Sequence, residues 1–181
     1  MNMKQVTTFL LALALCAGTA FAGEKSKNGI NWMTWDEVQV AMKKQPKKVW
    51  VDVYTDWCGW CKVMDRKTFS HPDVIKYMNE HFYAVKFNAE GKEEIMFLGK
   101  KYDAGTLAAQ LMNGQMSYPT FVFMEENFQN HSPIPGYQPV PQMELILKYL
   151  AENKYKTVKF DEYSKSFKPT WQEGAQAAPK S

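Results

Sequence analysis

Apolar residues recur along this chain at helical spacing in some stretches and as short continuous runs in others, which predicts helices alternating with strands. Thr34-Trp35-Asp36-Glu37 has the pattern of a helix-capping box, and the spacing that follows predicts a helix over 35–44. The β-branched and aromatic run 49–54 predicts a buried strand. Helical spacing continues after Cys61 and extends to about His81, with a break or restart at His71-Pro72-Asp73.

The second half of the chain continues this alternation. The pattern predicts strands over 82–87 and 121–124, helices over 93–102 and 140–152, a short helix through Leu107 and Leu111, and a proline-bearing antiparallel edge strand over 132–137. The resulting order is β-α-β, then α, then β-β-α. This order predicts an α/β domain.

The first 22 residues have the three parts of a secretory signal peptide. Lys4 supplies positive charge, residues 9–15 form an apolar stretch, and Ala20-Phe21-Ala22 is a cleavage site. Two alternatives stay open, namely an uncleaved membrane anchor over 6–22 and lipidation at Cys16. We predict a signal peptide over 1–22, followed by a polar leader over 23–32.

Length and composition favour one domain that does not bind nucleic acid. A chain of 181 residues with 45% hydrophobic content can bury one core, and a dispersed net charge of +3 provides no basic surface. Residues 154–181 form a C-terminal extension, with a helix in 154–167 and a disordered Pro/Ala/Gly-rich end from Lys168. The last three residues are not an endoplasmic-reticulum retention signal, which favours the bacterial periplasm.

Cleavage after Ala22 would remove Cys16 and leave Cys58 and Cys61 as the only thiols, so they pair with each other or with a substrate. In a C-x-x-C pair at the start of a helix, unpaired N–H groups and the helix dipole favour a thiolate at the first cysteine. Zinc would need further ligands, whereas the three histidines are far apart, and Lys62 stands where a c-type haem site needs histidine. The sequence predicts neither a metal nor another cofactor.

Two motifs, Trp57-Cys58-Gly59-Trp60-Cys61-Lys62 and Tyr118-Pro119-Thr120-Phe121, together with the order of elements, resemble the thioredoxin superfamily and its exported bacterial thioredoxin-like proteins. The resemblance covers residues 33–153 and implies the thioredoxin fold. In that fold a central mixed β-sheet is flanked by helices, here with an N-terminal helix and a C-terminal helical extension. It also implies a thiol-disulfide oxidoreductase that acts on protein or peptide disulfides.

The resemblance further implies roles for single residues. Those that would take part in the chemistry are the attacking Cys58, the buried resolving Cys61, the cis-proline Pro119 that aligns substrate, and Asp52, which takes the proton of the resolving thiol. Those that would support it are Lys86 beside Asp52, the shielding Trp57, and Trp60 and Tyr118, which with Trp57 would contact substrate.

These roles can be compared with simpler interpretations. Because a buried charged carboxylate costs several kcal/mol, Asp52 on an apolar strand should have a raised pKa or a partner such as Lys86. Otherwise Asp52 lies in water at a strand end, and Lys86 is a solvated lysine. Trp57 and Trp60 flank thiols that we expect to be exposed, and they serve either as packing or as a contact surface for extended substrate.

We expect a monomeric periplasmic reductase or isomerase that a membrane electron donor keeps reduced, because Cys-Gly-Trp-Cys is close to the thioredoxin motif. A disulfide-donating oxidase would use the same residues in reverse, and a redox-inactive binding module would leave the thiols incidental. Trp60 replaces the proline of thioredoxins, so the direction of electron flow stays open. The stretch 103–117 is longer than in thioredoxins and is either a specificity loop or a plain insertion.

Overall fold

The structure, a computed structural model, describes residues 29–174, so the predicted signal peptide and most of the leader lie outside the described residues. In chain order the strands are β1 (Trp32–Met33), β2 (Lys48–Tyr54), β3 (Phe82–Asn88), β4 (Ile95–Phe97), β5 (Lys100–Tyr102), β6 (Thr120–Met124) and β7 (Ser132–Pro135). The helices are α1 (Trp35–Lys44), α2 (Gly59–Lys67), α3 (Pro72–His81), α4 (Ala104–Leu111), α5 (Val140–Ala151) and α6 (Phe160–Ser166). Within 29–174, no helix is both long and apolar enough to cross a membrane.

A five-stranded mixed sheet forms the centre of the fold. Its order is β1-β3-β2-β6-β7, in which β1, β3 and β2 are parallel, β6 is antiparallel to β2, and β7 is antiparallel to β6. In this register Asp52 lies opposite Lys86 on one side and Phe121 on the other. The sequence therefore predicts the α/β class and the mixed sheet correctly, and the antiparallel edge strand is confirmed as β7.

The two faces of β2 point into two separate apolar cores. Val49, Val51 and Val53 pack with α1, α4 and β4, whereas Trp50 packs on the other face with α2, α3 and α5. Because side chains alternate along a strand, Asp52 shares the face of Trp50. The strand thus directs one carboxylate toward the layer that contains α2.

The segment 93–102, predicted as a helix, is instead the β4–β5 hairpin. Its turn is Leu98-Gly99, with positive φ values of 50° and 78°, a conformation that a helix does not contain. The Gln39 side chain on α1 donates to the Met96 carbonyl (2.8 Å) and accepts from Leu98 N (2.9 Å). These are backbone groups of the hairpin that a neighbouring strand could otherwise bond. The short helix predicted in 103–117 is confirmed as α4, and its Leu107, Leu111 and adjoining Met112 are core residues.

Both ends of the described chain are more ordered than the composition predicts. Ile30 is buried and β1 pairs with β3, so residues 29–32 of the predicted leader belong to the domain. At the other end, disorder was expected from Lys168, but the backbone N–H groups of Thr170 and Trp171 donate to the buried Glu144 carboxylate on α5 (2.7 and 2.8 Å). A buried charge with matched donors holds this segment, which composition cannot reveal.

Candidate functional site

A turn after β2 delivers Cys58 to the N-terminus of α2. Cys58 N donates to the Thr55 carbonyl (3.1 Å), and Cys58 is the N-cap residue whose Sγ accepts a hydrogen bond from Cys61 N (3.0 Å). The two cysteines form a disulfide, with an S–S distance of 2.09 Å. Because the N–H group and the helix dipole would stabilise negative charge on Cys58 Sγ, this sulfur is the better placed of the two to exist as a thiolate.

The sulfurs are covered, contrary to the expectation of exposed thiols. Cys58 and Cys61 are 4% and 3% exposed, whereas the flanking Trp57 and Trp60 are 66% and 60% exposed. The tryptophans therefore form the outer surface of the site.

Further aromatic residues continue this surface on both sides of the disulfide. The Trp57 ring packs edge-on against Tyr118 (5.8 Å between centroids), and the Trp60 ring contacts Tyr137 (5.4 Å). The Tyr118–Pro119 peptide bond is cis, and the Pro119 carbonyl accepts from Gly136 N (2.8 Å). The two motifs of the sequence are thus in contact through Trp57 and Tyr118.

Asp52 lies behind the disulfide-bearing helix as a buried carboxylate. It is 1% exposed, its Oδ2 accepts from Lys86 Nζ, and within 29–174 its Oδ1 has no hydrogen-bond partner. Burial raises the pKa of Asp52 from 3.8 to about 6, although Lys86 opposes the rise. Both expectations for Asp52, a partner and a raised pKa, therefore hold together.

Lys86 is a shared cation, not a freely solvated lysine. Its ammonium contacts Asp52 and also Asp65 on α2. Burial lowers the pKa of Lys86, but the two carboxylates outweigh this effect and leave it above its ordinary value. The rings that surround the ammonium at 5.1 to 5.5 Å are Trp32, Tyr54 and Phe69.

Three residues of this site were not predicted from the sequence, namely Asp65, Tyr137 and Glu90. The Glu90 carboxylate accepts a hydrogen bond from Trp57 Nε1 (3.0 Å). Glu90 lies two residues after the end of β3, and β3 is parallel to β2, so its position at the same sheet edge as residue 57 could have been anticipated. Asp65 lies four residues after Cys61 and hence on the same helix face, which could also have been noticed. Tyr137 follows an edge strand and carries no such signal.

His71 is a buried residue that caps the N-terminus of α3. Its Nδ1 accepts from Asp73 N (3.3 Å), and its Nε2 donates to the Gln172 carbonyl (3.0 Å). A cavity of about 380 Å³ lies beside it, between the end of α2, Tyr137 and the C-terminal segment. In the part of the chain that the structure describes, no group of His, Cys, Asp or Glu side chains is arranged to hold a metal ion.

A family model, Thioredox_DsbH, matches residues 16–177 and is described as a protein of unknown function, DUF255. This match spans most of the chain. The chain belongs to the Thioredox_DsbH family. The fold agrees with this assignment, since a solved thioredoxin-fold protein from Helicobacter pylori superposes with a TM-score of 0.58 at 24% identity, covering 66% of this chain and 78% of that one.

Curated relatives of this Thioredox_DsbH protein are much longer than the chain itself. An uncharacterized protein, B0495.5, from Caenorhabditis elegans is 27% identical over 114 residues, which are 62% of this chain and 14% of the relative. The thiol:disulfide interchange protein DsbD from Pectobacterium atrosepticum is 28% identical over 100 residues, which are 55% of this chain and 15% of the relative. The chain therefore matches only about one seventh of the length of these relatives.

Proposed function

We propose that this protein is a periplasmic thiol-disulfide oxidoreductase that acts on protein disulfides, most directly as a reductase or isomerase. The observation that carries the proposal is the Cys58–Cys61 disulfide at the N-terminus of α2, with the half-satisfied carboxylate of Asp52 on the sheet face behind it. A buried base of raised pKa has no use beside a purely structural disulfide, whereas in dithiol chemistry it can take the proton of the resolving thiol.

The first step uses Cys58 as the nucleophile. In the reduced protein the Cys58 thiolate attacks one sulfur of a substrate disulfide, a mixed disulfide forms, and the other substrate sulfur leaves as a thiolate that is protonated by water. The Cys61 N–H and the helix dipole stabilise the thiolate before attack.

The second step uses Cys61 and Asp52. The Cys61 thiol gives its proton to the Asp52 carboxylate, and the Cys61 thiolate attacks Cys58 Sγ. The bond between Cys58 and the substrate breaks, so the substrate gains two electrons and the protein becomes the disulfide form seen in the structure. Because no group within 29–174 bonds to Oδ1 of Asp52, this oxygen can take the proton without loss of a hydrogen bond.

The aromatic surface would hold the polypeptide. An extended substrate can lie against Trp57, Tyr118 and Trp60. Its backbone would lie beside Pro119, as the resemblance to the thioredoxin superfamily implies. Exposed tryptophans of this size offer contact area at low conformational cost. The stretch 103–117 contributes little to such a surface through α4, whose apolar residues are buried, so we favour the interpretation of α4 as an insertion that packs in the core.

The direction of electron flow is testable through the reduction potential of Cys58/Cys61. The similarity to part of a thiol:disulfide interchange protein agrees with redox exchange with a protein partner. A reductase or isomerase would have a reduction potential well below about −120 mV, the value of a strong oxidant. A value near that end would favour the oxidase instead. Equilibration with glutathione at fixed pH measures this reduction potential.

A Cys61→Ser variant tests the activity itself. It should accumulate mixed disulfides with periplasmic proteins through Cys58, because the resolving sulfur is absent, and reduction should release the trapped substrates. The matched control is the Cys58→Ser, Cys61→Ser double variant, which should trap nothing. If the Cys61→Ser variant also purifies without adducts and the parent fails to reduce insulin, the protein is a binding module.

A further inference from the structure

Lys86 joins two carboxylates that come from different layers of the fold. Asp52 is on β2 and 1% exposed, whereas Asp65 is on α2 with a side chain 48% exposed. Both contact the same ammonium, and the three rings around Lys86 restrict where that ammonium can lie. The Lys86 ammonium therefore pairs with one buried and one half-exposed carboxylate.

Asp65 also has a defined relation to the reactive cysteines. It lies four residues after Cys61, so the two side chains share one face of α2, one turn apart. The helix that carries the resolving sulfur therefore also carries the carboxylate that competes for Lys86. The arrangement links the position of α2 to the charge that Asp52 experiences.

We propose that Asp65 is a positioning residue for the dithiol chemistry: it shares Lys86 with Asp52 and so sets the pH range over which Asp52 accepts the proton of Cys61. This inference rests on the proposed function, in which Asp52 is the proton acceptor. Asp65 does not touch the reacting atoms and acts through Lys86.

Loss of Asp65 would affect Asp52 in two ways, and both would lower the pKa of Asp52. Without Asp65, Lys86 would interact with Asp52 alone, and the repulsion between the two carboxylates would vanish. Both changes favour the ionised form of Asp52. In the parent, burial and Asp65 raise the pKa of Asp52, whereas Lys86 lowers it. For carboxylates that contact one ammonium, and with allowance for the exposure of Asp65, the expected change is about one pH unit.

Other titratable groups near this cluster are few among the described residues. Tyr54 on β2 faces Lys86, and its pKa is raised by burial and by Asp56, with Lys86 opposing. A tyrosine with a raised pKa is neutral throughout the range in which a carboxyl titrates. The groups whose charge acts on Asp52 in that range are therefore Lys86 and Asp65.

The test compares Asp65→Asn with the parent and with Asp65→Glu. In the disulfide form, ¹³C-carboxyl NMR follows Asp52, assigned with Asp52→Asn. We expect the Asp52 midpoint to fall by about one pH unit in Asp65→Asn and to stay near the parent value in Asp65→Glu. The matched control is Glu94→Gln, which removes another exposed partner of a lysine, Lys101, and should leave the midpoint unchanged.

A kinetic measurement then connects this shift to the chemistry. In protein with Cys16→Ala, which leaves Cys58 and Cys61 as the only thiols, a small aromatic disulfide releases one thiolate when Cys58 attacks and a second when Cys61 resolves the adduct. The rate of the second release is plotted against pH and falls on the acid side of the profile. In Asp65→Asn this acid limb should move to lower pH by the same amount as the NMR midpoint. A merely structural role would slow the release without moving the limb.

Two results would overturn the inference. One is an Asp52 midpoint that Asp65→Asn does not change; the other is a changed midpoint with an unmoved acid limb. The parent is also assayed on insulin, so a parent that fails there counts against the proposed function, whereas the Asp52 titration still tests the electrostatic link on its own.

Discussion

The buried carboxylate of Asp52 predicts an unusual dependence of stability on pH. A carboxyl group whose pKa is higher in the folded protein than in the unfolded chain binds protons more tightly when folded. Stability from this group is therefore fully present below the unfolded value of 3.8 and is lost as pH rises through about 6. At neutral pH the ionised Asp52 destabilises the fold.

The magnitude follows from the size of the shift. A rise from 3.8 to about 6 is roughly two units, and at about 1.4 kcal/mol per unit it is worth about 3 kcal/mol. Asp52 is 1% exposed, so solvent screening does not reduce this figure as it would at the surface. Asp52→Asn removes the titration, keeps the shape of the side chain, and leaves Lys86 with Asp65.

The assay is urea unfolding of the oxidised protein at a series of pH values from 4 to 8. We expect the free energy of unfolding of the parent to fall by about 2.5 kcal/mol more than that of Asp52→Asn across this range, because part of the total of about 3 kcal/mol is already lost below pH 4 and other groups titrate equally in both. Glu94→Gln is the control, since it alters an exposed ion pair and should follow the parent. Parallel curves for the parent and Asp52→Asn would refute the reasoning.

Three further predictions concern other parts of the molecule. Glu144→Gln should cost about 2–4 kcal/mol of unfolding free energy and speed proteolysis within 168–174, because the amide offers one acceptor oxygen in place of two and leaves some of the groups that donate to Glu144 without an acceptor. Leu98→Gly should raise the free energy of unfolding by about 1 kcal/mol, since Leu98 is 60% exposed and has a φ of 50°. Trp60→Ala should raise KM for insulin several-fold and leave the melting temperature nearly unchanged, because Trp60 is 60% exposed and contacts Tyr137 at the surface.

The centre of the site could be predicted from sequence because its signals are local. A β-branched run before C-x-x-C places Cys58 at a helix N-terminus, and Thr34 with Glu37 predicts the start of α1, where the capping box is present. The pairing of Asp52 with Lys86 came from the resemblance and from the cost of burying charge on an apolar strand. Each of these rests on a few neighbouring residues or on one strong physical penalty.

The remaining features depend on contacts between distant residues. Strands of three residues, as in β4 and β5, are too short to display a period of two, and Ile95, Met96 and Leu98 fit a helical pattern equally well. The two residues of β1 carry no pattern at all. Glu144 resembles any polar position of an amphipathic helix until residues 170–171 supply its donors.

The two buried carboxylates of the described chain differ in a way that separates structure from chemistry. Glu144 uses both oxygens: Oε1 accepts from Lys148 and the Thr170 hydroxyl, and Oε2 accepts from two backbone N–H groups. Protonation of Glu144 would therefore break a hydrogen bond. Asp52 uses only Oδ2, and its Oδ1 can take a proton at no such cost. Since a fully bonded carboxylate is held ionised and a half-bonded one can change state, Asp52 is the group suited to proton transfer and Glu144 the group suited to holding the C-terminal segment.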